Sequence, residues 1–168
     1  DAEAGSGEAK DDNVMTALLR AASHKNWREV KRFILDGADL RVADDQGLTA
    51  LHYAALYGST DLVRTMLEHG PAGLVFCEMP GGATSLSLAC ARGYVDVANM
   101  LIEAGGKELV LKTAQDGSSC LSDACQHGSL EIAKALIKAG GEELLLKTHE
   151  NGCSCLFIAC QKGHLKVV

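Results

Sequence analysis

The residues from Asp44 to Ala55 read DDQGLTALHYAA, and the landmarks of this stretch recur along the chain at intervals of 35 residues. These landmarks are small or apolar residues. They occupy five columns: Gly47, Gly82, Gly117 and Gly152; Leu51, Leu86, Leu121 and Leu156; Ala54, Ala89, Ala124 and Ala159; Gly58, Gly93, Gly128 and Gly163; and Gly70, Gly105 and Gly140. A fixed period of this length indicates a repeat architecture, in which each copy is one supersecondary unit.

An earlier and more divergent copy lies 33 residues before the same stretch. Its matching residues are Thr16, Leu18, Ala21, Ala22, Val30 and Gly37, which align with Thr49, Leu51, Ala54, Ala55, Val63 and Gly70. The chain is thus predicted to hold five copies, the last incomplete, at approximately 13–43, 44–78, 79–113, 114–148 and 149–168. They form one repeat domain over 13–168, whereas residues 1–12 are predicted to be a disordered acidic tail or a cloning remnant.

Each copy is predicted to form two short helices. In the second copy Leu51, Ala54 and Ala55 make an apolar stripe at positions i, i+3 and i+4, which is the spacing of one helix face. The hydroxyl of Thr49 is placed to cap the start of this helix, and Gly58 to end it in a left-handed turn. Small residues in the alanine columns let successive copies stack, so the predicted architecture is a helical solenoid. The second helix carries the stripe Leu62, Val63, Met66 and Leu67 and ends at Gly70.

The stretch from Asp44 to Ala55 resembles the ankyrin-repeat signature D-x-x-G-x-T-P-L-H-x-A-A, and the likeness extends over about residues 14 to 168. It implies an all-α solenoid of helix-turn-helix units joined by hairpin-like loops. In the family the Thr, His and Asp side chains tie the turn to the helix start. Three signature positions vary among the copies. The Pro position holds Ala50, Ser85, Cys120 and Cys155. The His position keeps His52 and then holds Ser87, Ser122 and Phe157, and the Asp position keeps Asp44 and then holds Met79, Ala114 and His149. The helices are expected in every copy, whereas the hairpins of copies three to five are not fixed by the signature.

Two extra residues per copy fall after the glycine that ends the second helix, in 105–113 and 140–148. Loops between repeats absorb such insertions at little cost. The segment from Lys107 to Leu111 is predicted to form either a short extra helical turn or a longer hairpin arm. Its leucines are expected to belong to a satellite core rather than to an exposed binding edge.

Composition excludes several classes of protein. The 168 residues are 47% hydrophobic and 23% charged, as in a soluble globular chain, and no apolar run approaches the ~18 residues of a membrane-spanning helix. Residues 1–12 carry five carboxylates against one lysine and so hold −4 of the net charge of −6. Nucleic acid is therefore not an expected ligand, because its affinity comes from clustered Lys and Arg. The seven cysteines are odd in number and favour a reducing compartment, the cytoplasm or, as an alternative, the nucleus.

The cysteines follow a packing pattern. Cys90, Cys125 and Cys160 fill the column that holds Ala22 and Ala55 in earlier copies, so all three are expected to be buried as small apolar residues. A metal site is not expected, because Cys153-x-Cys155 has no second pair at zinc-finger spacing.

The chain is also predicted not to be an enzyme. Catalysis needs a nucleophile, a base and an oxyanion donor in one cleft, and the sequence contains no phosphate-cradling, zinc-protease or nucleophile-elbow motif. No cofactor and no small-molecule substrate are expected. The chain stops within the apolar stripe of its fifth copy, so it is predicted to be a fragment of a longer array with Ile158, Leu165 and Val167 exposed.

Two neighbouring columns do not repeat in kind: Leu56, Ala91, Gln126 and Gln161, and Tyr57, Arg92, His127 and Lys162. The resemblance places such positions on a concave groove, where binding residues usually lie. Tyr57 and Arg92 are predicted to be the anchors, pointing off the stack, because these residue types often dominate interfaces. Leu48 and Leu56 are expected to leave apolar area exposed beside them. The predicted partner-binding residues are Leu48, Leu56, Tyr57, Arg92, Gln126, His127 and Lys162.

The resemblance therefore implies a non-catalytic protein-interaction module, a scaffold or adaptor that binds a partner protein through its concave face without inserting in a membrane. The main alternative is a regulatory or targeting segment of a larger enzyme or channel. A third hypothesis is a metal- or redox-sensing domain that uses the seven cysteines.

Overall fold

A computed structural model describes residues 17–164, 166 and 167. The predicted tail at 1–12, together with Thr16 and Leu165, lies outside the described residues. Helix α1 covers residues 17–23 of the described chain, and the helices that follow are α2 (Trp27–Leu35), α3 (Ala50–Leu56), α4 (Thr60–His69), α5 (Ser85–Arg92), α6 (Val95–Val110), α7 (Cys120–Gln126), α8 (Leu130–Gly140), α9 (Glu142–Leu145) and α10 (Cys155–Gln161), with a short 3-10 turn at Leu74–Phe76.

The helices stack in two rows. An inner row is formed by α3, α5, α7 and α10, each packed on the next, and an outer row by α2, α4, α6 and α8. Within a copy the inner helix packs on the outer one, as α3 does on α4 and α5 on α6. The predicted all-α solenoid of helix-turn-helix units is confirmed, and the described residues contain no β-strand beyond isolated bridges.

The core lies between the rows and follows the repeating columns. The alanines of the third column are fully buried in all four copies, which lets the inner helices approach closely, and Leu51, Leu86 and Leu121 are buried as well. Leu156, the last member of the leucine column, is 52% exposed. The difference arises because burial of this position requires a following copy, and no described residue packs on the far side of α10.

The exposed face of α10 differs from the predicted one. Ile158 was expected to be exposed but is buried, and Val167 packs partly against the core. The positions of Cys155, Ile158 and Ala159 at i, i+3 and i+4 put them on one helix face, which is the face that packs. The exposed apolar side chains of α10 are Leu156 and Phe157 on the opposite face.

Hairpin-like loops precede all four inner helices, including those whose signature residues are lost. The same antiparallel bridge closes each loop: Ala43 with Thr49, Glu78 with Thr84, Thr113 with Ser119, and Thr148 with Ser154. Asp44 Oδ1 accepts the backbone N–H groups of Gln46 and Leu48, both at 2.9 Å. In copies four and five the bonding carboxyl or amide sits two positions later, where Asp116 and Asn151 accept from a backbone N–H two residues on. A shifted side chain thus performs the lost function.

Each inner helix is capped at its start by a hydroxyl, as the sequence predicted. Thr49 accepts from the N–H of His52, whose Nδ1 accepts from the N–H of Thr49 at 3.1 Å. Ser87 and Ser122 return the same bond in copies three and four, so serine replaces the signature histidine in this capping box. Burial lowers the pKa of His52 to about 4, so the ring is neutral at pH 7.

The longer loops contain a short extra helical turn rather than a longer hairpin arm. Gly106 (φ 57°, ψ −157°) breaks α6, and Gly141 (φ 67°, ψ −157°) separates α8 from α9. Both conformations are open to glycine and rare for other residues. Leu109 and Leu144 are fully buried in the main hydrophobic core rather than in a satellite core, whereas Leu145 and Leu146 are exposed.

Candidate partner-binding surface

The inner helices end at equivalent places, and this alignment brings most of the predicted binding residues into one row. Tyr57, His127 and Lys162 are the C-cap residues of α3, α7 and α10, and Arg92 is the last residue of α5. In each copy the next residue is a glycine with φ between 69° and 76°. The helix-end row, as it is called below, consists of Leu56, Tyr57, Arg92, Gln126, His127 and Lys162.

Exposure changes along the helix-end row. Leu56 and Tyr57 are half-buried, whereas every member from Arg92 onwards is exposed. The later copies therefore offer the polar side chains that a partner could reach without any rearrangement of the stack.

Backbone hydrogen bonds fix the geometry of the row at its far end. His127 donates from Nδ1 to the carbonyl oxygen of Asp123 at 2.9 Å, which holds the ring against its own helix. His164 donates from Nε2 to the carbonyl oxygen of Gln126 at 3.1 Å, across the boundary between copies four and five. Its ring also covers the glycine after His127, so the turn between helices packs against the next copy.

Leu48 does not belong to the row, and the expectation that it is exposed is wrong. Its side chain is only 6% exposed. The hairpin closes on itself at this residue, because the N–H of Asp44 donates to the carbonyl oxygen of Leu48 at 3.1 Å while the N–H of Leu48 donates to Asp44 Oδ1. This closure turns Leu48 inward.

An aromatic cluster that the sequence analysis missed surrounds Tyr57. The ring of Trp27 from the first copy lies 5.9 Å from that of Tyr57, and the ring of Tyr53 lies 6.3 Å away in a stacked arrangement. The ammonium group of Lys25 sits 4.2 Å above the Tyr57 ring, at a distance that gives a cation–π attraction. The expectation that Tyr57 points off the stack is therefore wrong, because its ring packs against another copy. Lys25 was detectable in sequence as a non-glycine at the turn, where its φ is 59°.

The hydroxyl of Tyr53 connects this cluster to the hairpin. It donates to Asp44 Oδ2 at 2.6 Å. Burial and this hydrogen bond raise the pKa of Tyr53 to about 12. Burial opposes ionisation of Asp44, but the bonds from Tyr53, Leu48 and Gln46 outweigh it and lower the pKa of that carboxyl.

Asp123 is a second group that the sequence analysis missed. It occupies the column that holds Arg20, Tyr53, Leu88 and Ile158 in the other copies, and it is half-buried there. Burial raises the pKa of Asp123 to about 6, while His127 opposes the rise. A carboxylate in a column that is otherwise uncharged from the second copy onwards was the signal available from sequence.

Comparison with known proteins places this geometry in a family. A family model described as ankyrin repeats, in three copies, matches residues 18–113 and 86–168. The chain belongs to the ankyrin-repeat family. Human diacylglycerol kinase zeta is 37% identical to the ankyrin chain over 54 residues, which are 32% of this chain and 6% of the kinase. The chain thus spans a small fraction of the length of this relative.

The ankyrin stack buries two of the three cysteines that were predicted to pack. Cys90 and Cys125 are buried, but Cys160 is exposed, so the prediction is wrong for Cys160. The reason lies in the neighbouring copy: Cys120 covers Cys90 and Cys155 covers Cys125, whereas no described residue follows to cover Cys160.

Two properties of the described ankyrin residues bear on other classes of site. None of their helices has the length and apolar character needed to cross a membrane. Within the same residues, no group of three or more His, Cys, Asp or Glu side chains is arranged to hold a metal ion.

Proposed function

We propose that this ankyrin-repeat chain is a non-catalytic scaffold or adaptor that binds a protein partner along the helix-end row. The ankyrin repeats themselves indicate a protein-interaction module. The observation that carries the finer assignment is chemical variation at equivalent positions: four helix ends present a phenol, a guanidinium, an imidazole and an ammonium group. The alanine and leucine columns beneath them repeat in kind. Variation on a repetitive scaffold suits an irregular partner surface.

The accessible part of the row favours a partner with acidic groups. Arg92 and Lys162 are both exposed, and neither forms a salt bridge among the described residues. A guanidinium group without a salt bridge to any described residue can bind a carboxylate of a partner in two-point fashion. The half-buried carboxyl of Asp123 lies beside the row and adds a site for one donor from the same partner.

The first experiment identifies the partner, by chemical crosslinking and mass spectrometry on proteins captured with the full-length protein from native extract. The second measures the affinity of that partner for Arg92→Ala. The change should cost on the order of 2 kcal/mol of binding free energy, or roughly thirtyfold in Kd, and leave the melting temperature nearly unchanged because the side chain is exposed.

A matched control lies on the outer row. Glu131 is exposed on α8 and forms only a surface ion pair with Lys134, at 3.4 Å. Glu131→Arg should leave the affinity at its parent value. Loss of binding in this variant, with full binding in Arg92→Ala, would move the partner site to the outer face of the stack.

A second candidate function is a regulatory or targeting segment of a larger enzyme or channel. The observation that favours it is the identity of 37% over 54 residues with a diacylglycerol kinase. The sequence of the complete native protein separates the two candidates, because a catalytic or membrane domain in the same chain supports the second.

The proposal includes no catalytic activity, cofactor, small-molecule substrate, nucleic acid or membrane insertion. It places the module in the cytoplasm, with the nucleus as the alternative. The charge balance supports the absence of nucleic-acid binding from the proposal, because Lys and Arg are outnumbered, 16 to 22, by Asp and Glu. The unpaired thiols support the reducing compartment.

A further inference from the structure

The turn between α1 and α2 contains a lysine where the equivalent turns of the later copies have a glycine. Lys25 aligns with Gly58, and it is the single non-glycine residue of the described chain with a positive φ, 59°. Its N–H donates to the carbonyl oxygen of Ala22 at 3.1 Å, as that of Gly58 does to Ala55 at 3.2 Å. The turn is therefore the same in both copies, although its left-handed conformation disfavours a residue that has a Cβ atom.

The side chain of Lys25 lies on an aromatic surface at the junction of the first two copies. Its ammonium nitrogen is 4.2 Å from the centre of the Tyr57 ring. The ring of Trp27 meets that of Tyr57 at 5.9 Å with an angle of 50°, and Tyr53 lies nearly parallel to it, at 20°. Because Lys25 is exposed, its ammonium group reaches the ring from the solvent side. The Tyr57 ring thus already holds a cation, which belongs to the chain itself.

This contact is weak enough to exchange. Lys25 forms no salt bridge with any described residue, so no carboxylate adds to the attraction of the ring. An exposed contact of this kind favours the ring-bound side chain by roughly two- to fivefold. The ring face is then free for roughly a sixth to a third of the time. A cation from another molecule can bind the same face during that time.

We propose that this face of Tyr57 binds a cationic side chain of the partner protein, lysine or arginine, and that Lys25 occupies the face in the unbound chain. The observations that carry it are the distance from ammonium to ring and the lysine kept in a conformation that suits glycine. As far as the partner is concerned, this rests on the proposed function, because Tyr57 belongs to the helix-end row. The partner then carries a cation for Tyr57 as well as a carboxylate for Arg92.

The test removes the side chain of Lys25 without disturbing the turn. Lys25→Gly introduces the residue of the later copies, which suits a φ of 59°, and the variant should therefore keep the fold. NMR follows the ring resonances of Tyr57 during titration with N-acetyl-lysine methylamide or N-acetyl-arginine methylamide. The initial slope of the shift against concentration is inversely proportional to Kd, so saturation is not required. We expect slopes roughly three to six times those of the parent, because Lys25 no longer competes.

A neutral probe and variants of Tyr57 provide the controls. N-acetyl-norleucine methylamide has an alkyl side chain like that of lysine but no charge, and its slope should be the same in Lys25→Gly as in the parent. In the Lys25→Gly background, Tyr57→Phe should keep the response to the cationic probes and Tyr57→Leu should abolish it, as read at the indole N–H of Trp27, the sole tryptophan. Equal slopes of the cationic probes in Lys25→Gly and the parent, or an equal response to the neutral probe, would overturn the proposal.

The partner protein provides a separate measurement. The partner identified by crosslinking should bind Lys25→Gly roughly three- to sixfold more tightly than the parent, since the ring face is vacant in every molecule. Unchanged affinity would overturn the assignment of this face to the partner. The probe titrations need no partner, so their failure leaves the proposed function standing. Full affinity in Arg92→Ala together with a positive titration would refute the proposed function and retain the cation site.

Discussion

Tyr53 and Asp44 share a hydrogen bond of 2.6 Å that ties the hairpin of the second copy to its inner helix. The bond joins positions nine residues apart, and the same carboxyl also receives two backbone N–H groups through its other oxygen. The turn and the aromatic cluster around Tyr57 are thereby held as one unit. A change that weakens the packing of the turn should therefore also weaken the packing of the aromatic cluster, and the reverse.

Replacing Tyr53 with phenylalanine removes only the hydroxyl. We expect a loss of about 1 kcal/mol in the free energy of unfolding, which is typical of one hydrogen bond that is partly open to solvent. Chemical denaturation of the two proteins at pH 7 measures the difference. Stability equal to the parent would show that Asp44 recovers the lost bond from water.

The same variant should change how stability depends on alkaline pH. The pKa of Tyr53 is raised from 10 to about 12 in the folded chain, so its contribution is complete below pH 10 and is lost as the pH rises towards 12. Tyr53→Phe cannot titrate, and its stability should therefore fall less than that of the parent over this window. Denaturation curves at pH 9, 10 and 11 provide the measurement, in which lysines and cysteines titrate in both proteins alike. Parallel curves would contradict the raised pKa.

Tyr57→Ala should destabilise the fold as well as weaken binding. The change removes a ring that packs on Trp27 and carries Lys25, and such aromatic pairs contribute roughly 0.5–1.5 kcal/mol beyond the area they bury. Thermal melting should show a lower midpoint for Tyr57→Ala and an unchanged midpoint for Arg92→Ala. For that reason Arg92 is the cleaner probe of partner binding.

Thiol labelling should separate the three cysteines of the alanine column. A maleimide should modify Cys160 rapidly in the native chain, Cys125 slowly and Cys90 only on unfolding, since exposure falls in that order. Quenched time points read by peptide mass spectrometry give the three rates, and denatured protein in which all seven cysteines react is the control. Fast labelling of Cys90 in the native state would contradict the packing of α5 on α7.

Gly128→Ala should cost more than the same change at Gly163. Both glycines adopt positive φ, 70° and 76°, and alanine in that conformation costs roughly 1–2 kcal/mol. At Gly128 an added Cβ would also come within 2.6 Å of Nδ1 of His164, whereas at Gly163 it would meet nothing within 4 Å. The difference between their unfolding free energies isolates the contact with His164. Equal losses at the two positions would show that His164 moves aside.

The repeating columns made the fold predictable, because period, helix stripe and turn glycine are all local properties of one copy. Side-chain burial was less predictable wherever it depended on a neighbouring copy. Cys160 has the sequence environment of Cys90 and yet is exposed, since α7 covers Cys90 and no helix of the described residues covers Cys160. Tyr57 lies in a variable column but packs on Trp27, a residue 30 positions earlier that belongs to a copy with a different period.

The hairpins illustrate a different limit. Loss of the signature aspartate suggested that the later turns were undetermined, but Asp116 and Asn151 provide equivalent bonds from another position. Comparing equivalent positions between copies does not reveal these bonds, because the accepting side chain lies two residues after the position of the signature aspartate. Six of the seven predicted partner-binding residues lie in the helix-end row, and Leu48 does not. The prediction also omitted Asp123, whose charge in this column is visible in the sequence but whose burial becomes visible only once the copies are stacked.

The extra turns after the outer helices have a mechanical consequence. The 3-10 turn at Leu74–Phe76 contacts α6, α9 contacts α8, and Lys107 pairs with Glu143 at 3.0 Å across two successive turns. These extra turns lie along one flank of the array. Bending the stack towards this flank would compress their contacts together with those of the two helix rows. We therefore expect the extra turns to stiffen the array against bending towards this flank.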